Sequence, residues 1–382
     1  MASIPKIPFN VPCNVGGELR YIAEAINGNQ KISGDGPFTK RCSEFFQHRY
    51  AVAKAVLTTS CTDALEMAGL LLNLKPGDEV IVPSFTFVSS ANAFALRGAR
   101  LVFVDSREDE PNVDVNRIAE VITPKTKAII AVHYAGFACA MDEITTLAQS
   151  RHVDVVEDAA QAVESFYRGR RLGTIGRFGT LSFHETKNLI CGEGGLLFVN
   201  RQEDVKRTEI IREKGTNRTA FFRGEIAKYS WVDLGSSFLP SELNAAYLFG
   251  QLESIDLIQN RRVEIYNRYC ACLKVLEDQG KALLPVVPNG ATINGHLFYL
   301  LCPNLSVRTQ LIDFLKSQNI HATFHYVPLH SSEYFSEFHD GRVLKNCDRY
   351  SEQLVRLPLF FAMTDEMVDI VCSEVLKFFS QV

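Results

Sequence analysis

From about residue 51 to residue 200 the chain alternates short apolar runs with longer stretches of helical periodicity. The runs are AVAKAVL, EVIVP, LVFVD, AIIAVH, VDVVED, TLSFH and LLFVN. Strands buried on both faces of a sheet read as nearly continuous apolar runs, and helical segments between them imply βαβ crossovers. The pattern therefore predicts a doubly wound, mostly parallel α/β sheet. Two helices are delimited locally. Thr62 stands as a cap before the run 63–72, which Lys75-Pro76-Gly77 ends, and Asp114 opens a helical pattern that Thr123-Pro124 stops. Beyond about residue 245 the pattern changes to a long helical stretch over 244–276, then Pro285 and Pro288, then FYLLC, ATFHYVPL and a final helix over 365–379. This predicts a large domain, 1–245, and a smaller α+β domain, 246–382. The chain carries neither an internal repeat nor a low-complexity segment.

Composition narrows the function classes. With 382 residues, 46% hydrophobic and 22% charged, the chain is an ordinary globular protein, large enough for two domains. A formal charge of -4 leaves no basic surplus for phosphate backbones or anionic lipid, so neither nucleic acid nor membrane is expected as a partner. The opening MASIPKIPFNVPCNVGGE has no basic region followed by an apolar stretch, and no run approaches bilayer length. A cytoplasmic location is the expectation. The ten cysteines include no CxxC pair and read as reduced thiols, mostly in the core.

Polar residues gather where each apolar run stops: Thr58-Thr59-Ser60-Cys61-Thr62, Ser84-Phe85-Thr86, Glu157-Asp158 and His184-Glu185-Thr186-Lys187. Open α/β sheets bind ligands beyond the carboxyl ends of their strands, so these tips are expected to converge on one crevice. Only roughly one free lysine in a few thousand is an unprotonated nucleophile at neutral pH, and partial burial raises that fraction. Lys187 could then form an imine with an aldehyde, as pyridoxal phosphate requires. Asp158 could face the pyridine nitrogen and keep the ring an electron sink, and Gln161 could reach the ring hydroxyl. Ser60, Cys61 and Thr62 lie between a strand and a helix, where free amides attract phosphate. Ser182 could add a hydroxyl, Phe87 could stack on the ring, and Gly192, Gly194 and Gly195 would let the backbone turn or approach closely.

Taken singly, each residue also has a plainer reading: Lys187 as a solvated loop residue, Asp158 and Ser-Cys-Thr as helix caps, Phe87 as core. In HATFHYVPLH, alternation along a strand puts His321 and His325 on one face, while Pro328 breaks any helix before His330. No cysteine or carboxylate stands at ligand spacing, so a metal site is not expected, and these histidines read as a polar substrate wall or as satisfied core residues. Neither GxxxxGK[ST] nor GxSxG occurs, and FFRG without a basic stripe makes no RNA-binding surface.

In addition, a dozen ordered blocks resemble the DegT/DnrJ/EryC1 sugar aminotransferases. They are GDGPFTKRCSEFF, TTSCTDALEMA, GDEVIVPSFTFVSSANAF, GARLVFVD, VHYAG, VVEDAAQAV, LGTIG, SFHETKN, GEGG, EIIREKGTNR, FHYVPLH and VRLPLF, and they span almost the whole chain. The resemblance implies the aspartate aminotransferase (type I) fold with pyridoxal 5'-phosphate as cofactor and pyridoxamine phosphate as its aminated form. It places the Schiff-base lysine on Lys187, the pyridine-nitrogen carboxylate on Asp158 and the ring-hydroxyl glutamine on Gln161. The phosphate serine falls on Ser182, the phosphate turn on Ser60, Cys61 and Thr62, and the stacking aromatic on Phe87. A homodimer is implied too. Many relatives carry a Gly-x-Asn whose asparagine reaches the phosphate of the neighbouring subunit, but here the residues are Gly235-Ser236-Ser237, so Ser237 is the candidate for that contact.

Similar sugar dehydratases replace the lysine with histidine, so Lys187 implies transamination. SFHETKN, REKGTNR, FFRG and DLGSS are most similar to the members that form dTDP-4-amino-4,6-dideoxygalactose. The implied substrates are L-glutamate and dTDP-4-keto-6-deoxyglucose, for enterobacterial common antigen or a related surface glycan. The gluco epimer and a non-catalytic nucleotide-sugar sensor are the alternatives. His325, Tyr326, His330 and the GTNR segment with Arg218, the last acting across the dimer, are the substrate-wall candidates.

Overall fold

The structure, a computed structural model, describes residues 5–381; the first residues of the N-terminal stretch read for a leader, and residue 382, lie outside it. All seven apolar runs form strands of one sheet: β1 (Lys54–Thr58), β2 (Glu79–Pro83), β3 (Arg100–Val104), β4 (Thr126–Val132), β5 (Asp154–Asp158), β8 (Phe178–Ser182) and β9 (Gly195–Val199). A two-residue hairpin, β6 (Phe166–Tyr167) and β7 (Arg170–Arg171), stands apart from it. The spatial order is β1-β9-β8-β5-β4-β2-β3. Neighbours from β8 to β3 are parallel, and β9 runs antiparallel to both β8 and β1. The mostly parallel sheet expected from the pattern is present; the reversed β9 was not foreseen. Its cause is the connection, since residues 183–194 between β8 and β9 form a loop without a helix that folds back on itself as a hairpin.

Alternate residues of each strand enter opposite cores. Val56, Val82, Ile130 and Val156 pack on one face, and Leu57, Ile81, Ile129 and Val155 on the other, where the helix Pro37–Tyr50 contributes Phe38, Cys42 and Phe46. Both faces are buried, which explains why the runs read as continuously apolar. The first core extends without a break into a second, antiparallel sheet of order β10-β12-β11, made by β10 (Phe298–Leu301), β11 (Thr323–Phe324) and β12 (Leu354–Leu357).

Several local expectations need correction. The cap of the helix Cys61–Leu71 is Ser60, whose Oγ accepts the Asp63 amide at 3.0 Å, so Thr62 lies inside the helix. Asp114 does cap the helix Val115–Val121. The long stretch after residue 244 is two helices, Glu242–Leu252 and Ile255–Asp278, broken at Glu253-Ser254, and the 245/246 division falls within the first. ATFHYVPL contributes only two strand residues, because Tyr326 adopts a left-handed φ of 41° and the chain leaves the sheet. No helix among the described residues is long and apolar enough to cross a membrane. All ten cysteines are free thiols, and most are buried.

The end of β5 is fixed from beneath. The fully buried Glu157 carboxylate accepts the amides of Gly173, Ile175 and Gly176 at 2.6 to 2.8 Å, and His133 Nε2 lies 3.0 Å from it. That clamp folds the LGTIG segment so that β8 returns beside β5. Glu157→Ala would leave several buried donors without an acceptor and is expected to cost roughly 3 to 5 kcal/mol, read as a lower urea midpoint with little change in slope.

Candidate active site

The strand ends of the large sheet and the edge of the small one enclose a cavity of about 900 Å³. Of the thirteen residues read from the sequence as cofactor or substrate contacts, ten line it: Ser60, Cys61, Thr62, Phe87, Asp158, Gln161, Ser182, Lys187, His325 and Tyr326. Three do not. Ser237 and Arg218 lie in the segment 218–237, with Ser237 exposed and the Arg218 guanidinium 5.0 Å over the Phe222 ring. His330 is turned away as well, its Nδ1 2.7 Å from the Ser84 hydroxyl and its Nε2 3.5 Å from Asp348. The reason is the left-handed turn at Tyr326, which ends strand alternation before His330 is reached. His325 lines the cavity while His321 is exposed beside Phe9, so the two do not share a face as strand alternation had suggested. No group of three or more His, Cys, Asp or Glu among the described residues is placed to hold a metal ion.

Lys187 reaches the cavity from the β8–β9 hairpin loop. The loop is laced by Phe183 N to Gly194 O (2.8 Å), Cys191 N to Phe183 O (2.8 Å) and Glu185 N to Gly192 O (3.0 Å), and Lys187 N closes a turn on His184 O (2.9 Å). The next residue, Asn188, is an anchor. Its amide nitrogen donates to Gln259 Oε1 and to the Asn294 carbonyl, both at 2.9 Å, and its oxygen meets His296 Nδ1 at 2.9 Å. Asn244 donates to the Cys191 and Glu193 carbonyls, each at 2.9 Å. Burial lowers the Lys187 pKa from its usual value, and the charge of Arg356 works in the same direction. The amine is therefore a better nucleophile and base at neutral pH than a solvated lysine.

Asp158, one residue past Glu157 on a strand, projects to the opposite side, into the cavity. Ser90 donates to its Oδ2 at 2.6 Å and the Ala160 amide to its Oδ1 at 3.1 Å, which fixes the carboxylate in place. Gln161 accepts the Ala135 amide at 2.7 Å and donates to the Tyr326 hydroxyl at 3.0 Å. Across the cavity the helix Cys61–Leu71 presents its N-terminus. Its positive end suits an anionic group, and burial holds the Cys61 thiol protonated. Gly195 runs so close beneath this turn that an added Cβ would lie 2.3 Å from Ser60 C and 2.4 Å from Cys61 N.

A desolvated amine, a fixed carboxylate and an amide cradle opening on one space meet the three requirements of pyridoxal phosphate. A comparison with known proteins gives the same answer. The model of the DegT/DnrJ/EryC1/StrS aminotransferase family matches residues 13–376. The chain belongs to this family. It is 31% identical over 381 residues to the spore coat polysaccharide biosynthesis protein SpsC of Bacillus subtilis, covering 97% of this chain and 96% of SpsC. Its fold is similar to the aminotransferase TlmJ from Streptoalloteichus hindustanus (TM-score 0.90, 30% identity, 99% of this chain and 100% of that one). It is similar also to Spr1654 from Streptococcus pneumoniae in its PLP form (TM-score 0.89, 25% identity, 99% of each chain). The protein is a pyridoxal-phosphate-dependent aminotransferase.

Sequence reasoning missed several residues of the aminotransferase's cavity: Phe9, Ser90, His296 and Arg356. Ser90 sits one helical turn after Thr86, with the two hydroxyls 2.9 Å apart, and a polar residue on the first turn after a strand was the available signal. His296 and Arg356 belong to the small sheet and its approach, where no strand-end rule pointed. Gly195→Ala is expected to displace the turn at Ser60-Cys61 and weaken pyridoxal phosphate binding at least about tenfold, read by fluorescence titration of the apoprotein, with secondary structure unchanged.

Proposed function

We propose that this aminotransferase moves the amino group of L-glutamate to C4 of dTDP-4-keto-6-deoxyglucose, yielding 2-oxoglutarate and dTDP-4-amino-4,6-dideoxygalactose for a surface glycan. The observation that carries the transamination is the half-buried Lys187 amine sharing one cavity with Asp158 and the N-terminus of the helix Cys61–Leu71. The sugar is supported by the similarity of SFHETKN, REKGTNR, FFRG and DLGSS to that subgroup, and a polysaccharide role by the name of SpsC.

Bound in this cavity, pyridoxal phosphate supplies an electron sink and a carrier for the amino group. The chain's residues supply the rest. Asp158, held by Ser90 and the Ala160 amide, presents a fixed anion for a pyridinium N–H. Ser60, Cys61, Thr62 and Ser182 would hold the phosphate, Phe87 would cover one ring face, and Gln161 with Tyr326 would meet the ring hydroxyl. Lys187, its pKa lowered by burial, takes the proton from the amino-acid Cα and delivers one at cofactor C4′. In the second half the same amine protonates C4 of the sugar, so the sugar face turned toward Lys187 sets the epimer.

The reading includes a homodimer in the cytoplasm. In segment 218–237 the side chains of Phe222, Tyr229, Trp231 and Leu234 are exposed, an apolar surface suited to a second copy, which would bring Ser237 and Arg218 to the partner's cavity.

Lys187→Ala is expected to abolish turnover and leave no borohydride-reducible cofactor bond. Trapping pyridoxal phosphate on another lysine would overturn the assignment of Lys187. Incubation with dTDP-4-keto-6-deoxyglucose and L-glutamate is expected to give an axial C4 amine by NMR. An equatorial amine would identify the gluco epimer as product, and binding without any turnover would favour a nucleotide-sugar sensor.

A further inference from the structure

Two helices of the small domain, Ile255–Asp278 and Asp365–Gln381, lie side by side and run in the same direction. Arg261 Nη2 donates to Asp365 Oδ1 at 2.9 Å, and Arg268 grips Asp369 through Nε and Nη2 at 2.7 and 2.6 Å. Lys281, just past the first helix, reaches the Phe379 carbonyl. Each contact climbs both helices together. Cys272 therefore stands one turn beyond Arg268, and Cys372 one turn beyond the facing Asp369. Both pack on the first core, with Cys372 buried and Cys272 partly exposed. Burial, and after it the neighbouring Cys272, pushes the Cys372 thiol up; burial and then both sulfurs raise the buried Tyr269 hydroxyl in the same way. Cys270 belongs to another side of the first helix, beside the Tyr266 hydroxyl.

Two thiols from different helices that meet at one point can be joined by a single covalent bond. We propose that Cys272 and Cys372 are a site of reversible disulfide formation, which fastens the helix Ile255–Asp278 to the helix Asp365–Gln381. The reaction partner is a low-molecular-weight disulfide such as oxidised glutathione. Cys272, the sulfur open to solvent, gives up its proton and attacks one sulfur of that partner, releasing a first glutathione thiol. Cys372 then attacks the Cys272 sulfur, and the second glutathione leaves with the proton that Cys372 gives up. Two protein thiols are oxidised to one disulfide while the small disulfide is reduced to two thiols. The bridge closes a loop of roughly a hundred residues, which restricts the unfolded chain and stabilises the folded one. It also fixes a helix on which the catalytic loop leans. That helix carries Gln259, which accepts the Asn188 amide beside Lys187, and Arg262, which gathers the Gly295, His296 and Leu359 carbonyls. The inference does not depend on which sugar the enzyme aminates.

The test uses the holoenzyme, oxidised with glutathione disulfide and digested with trypsin without reductant. Wild type and Cys270→Ser are expected to yield peptide 269–274 joined to peptide 357–377 with two hydrogens lost, and Cys272→Ser is expected to yield no such pair. The thermal midpoint of the oxidised wild type is expected to rise by about 5 °C, to return on reduction with dithiothreitol, and to stay unchanged for Cys272→Ser. Cys272 is partly exposed, so its serine variant carries the test should Cys372→Ala fail to fold. Absence of the joined peptide, its loss in Cys270→Ser, a glutathione adduct that persists on Cys272, or an unchanged midpoint on bridging would each overturn the proposal.

Discussion

The active site depends on two successive carboxylates at the end of β5. Neighbouring residues of a strand point to opposite sides, so Glu157 and Asp158 cannot serve the same environment. Glu157 turns into the protein, where three amides and His133 surround it, and this holds the return of the chain to β8. Asp158 turns into the cavity. Because β8 is held beside β5, the hairpin loop after it emerges where Lys187 can share the space above Asp158. The same short loop forces β9 to run backwards, and β9 begins with Gly195, whose missing side chain leaves room for the phosphate turn. Carboxylate, lysine and cradle are thus consequences of one arrangement of strand ends.

A loop carrying a desolvated lysine needs more than its own backbone to stay in place. Asn188 ties it to Gln259 on the long helix and to the 294–296 segment, and the fully buried Arg262 gathers the Gly295, His296 and Leu359 carbonyls at 2.8 to 3.3 Å. Among the described residues Arg262 is bonded to carbonyls, and burial brings its pKa down to about 10. A cation kept in that state only makes sense where several chain segments must be held at fixed distances. His296 and Leu359, two of the residues it joins, line the cavity.

How far the sequence could be read follows from the physics of each signal. The seven strands were legible because both faces of the sheet are buried, and burial leaves a continuous apolar run. Direction leaves no such mark, so β9 was seen as a strand and not as a reversed one. Lys187, Asp158 and Ser60 to Thr62 were legible because strand ends are marked by where apolar runs stop. His330 was misread because alternation presumes an extended backbone, and a non-glycine residue with φ of 41° at Tyr326 gives no warning in composition; His321 and His325 were misread because the strand between them is only Thr323–Phe324. Arg356 was quoted within VRLPLF and passed over, since an arginine in a strand ordinarily faces water and only the folded wall shows that this one does not.

That wall bounds the same cavity as the strand ends of the large sheet. The donor and the sugar would each bring a different carbon to the same Lys187 amine, one after the other. The turn at Ser60-Cys61-Thr62 lies on the large-sheet side, where Asp158 is fixed by Ser90 and the Ala160 amide. Arg356 is the cation left on the opposite wall, held by an aromatic face and a single carbonyl in place of an acid. The exposed aromatic segment 218–237 lies outside the cavity of its own chain.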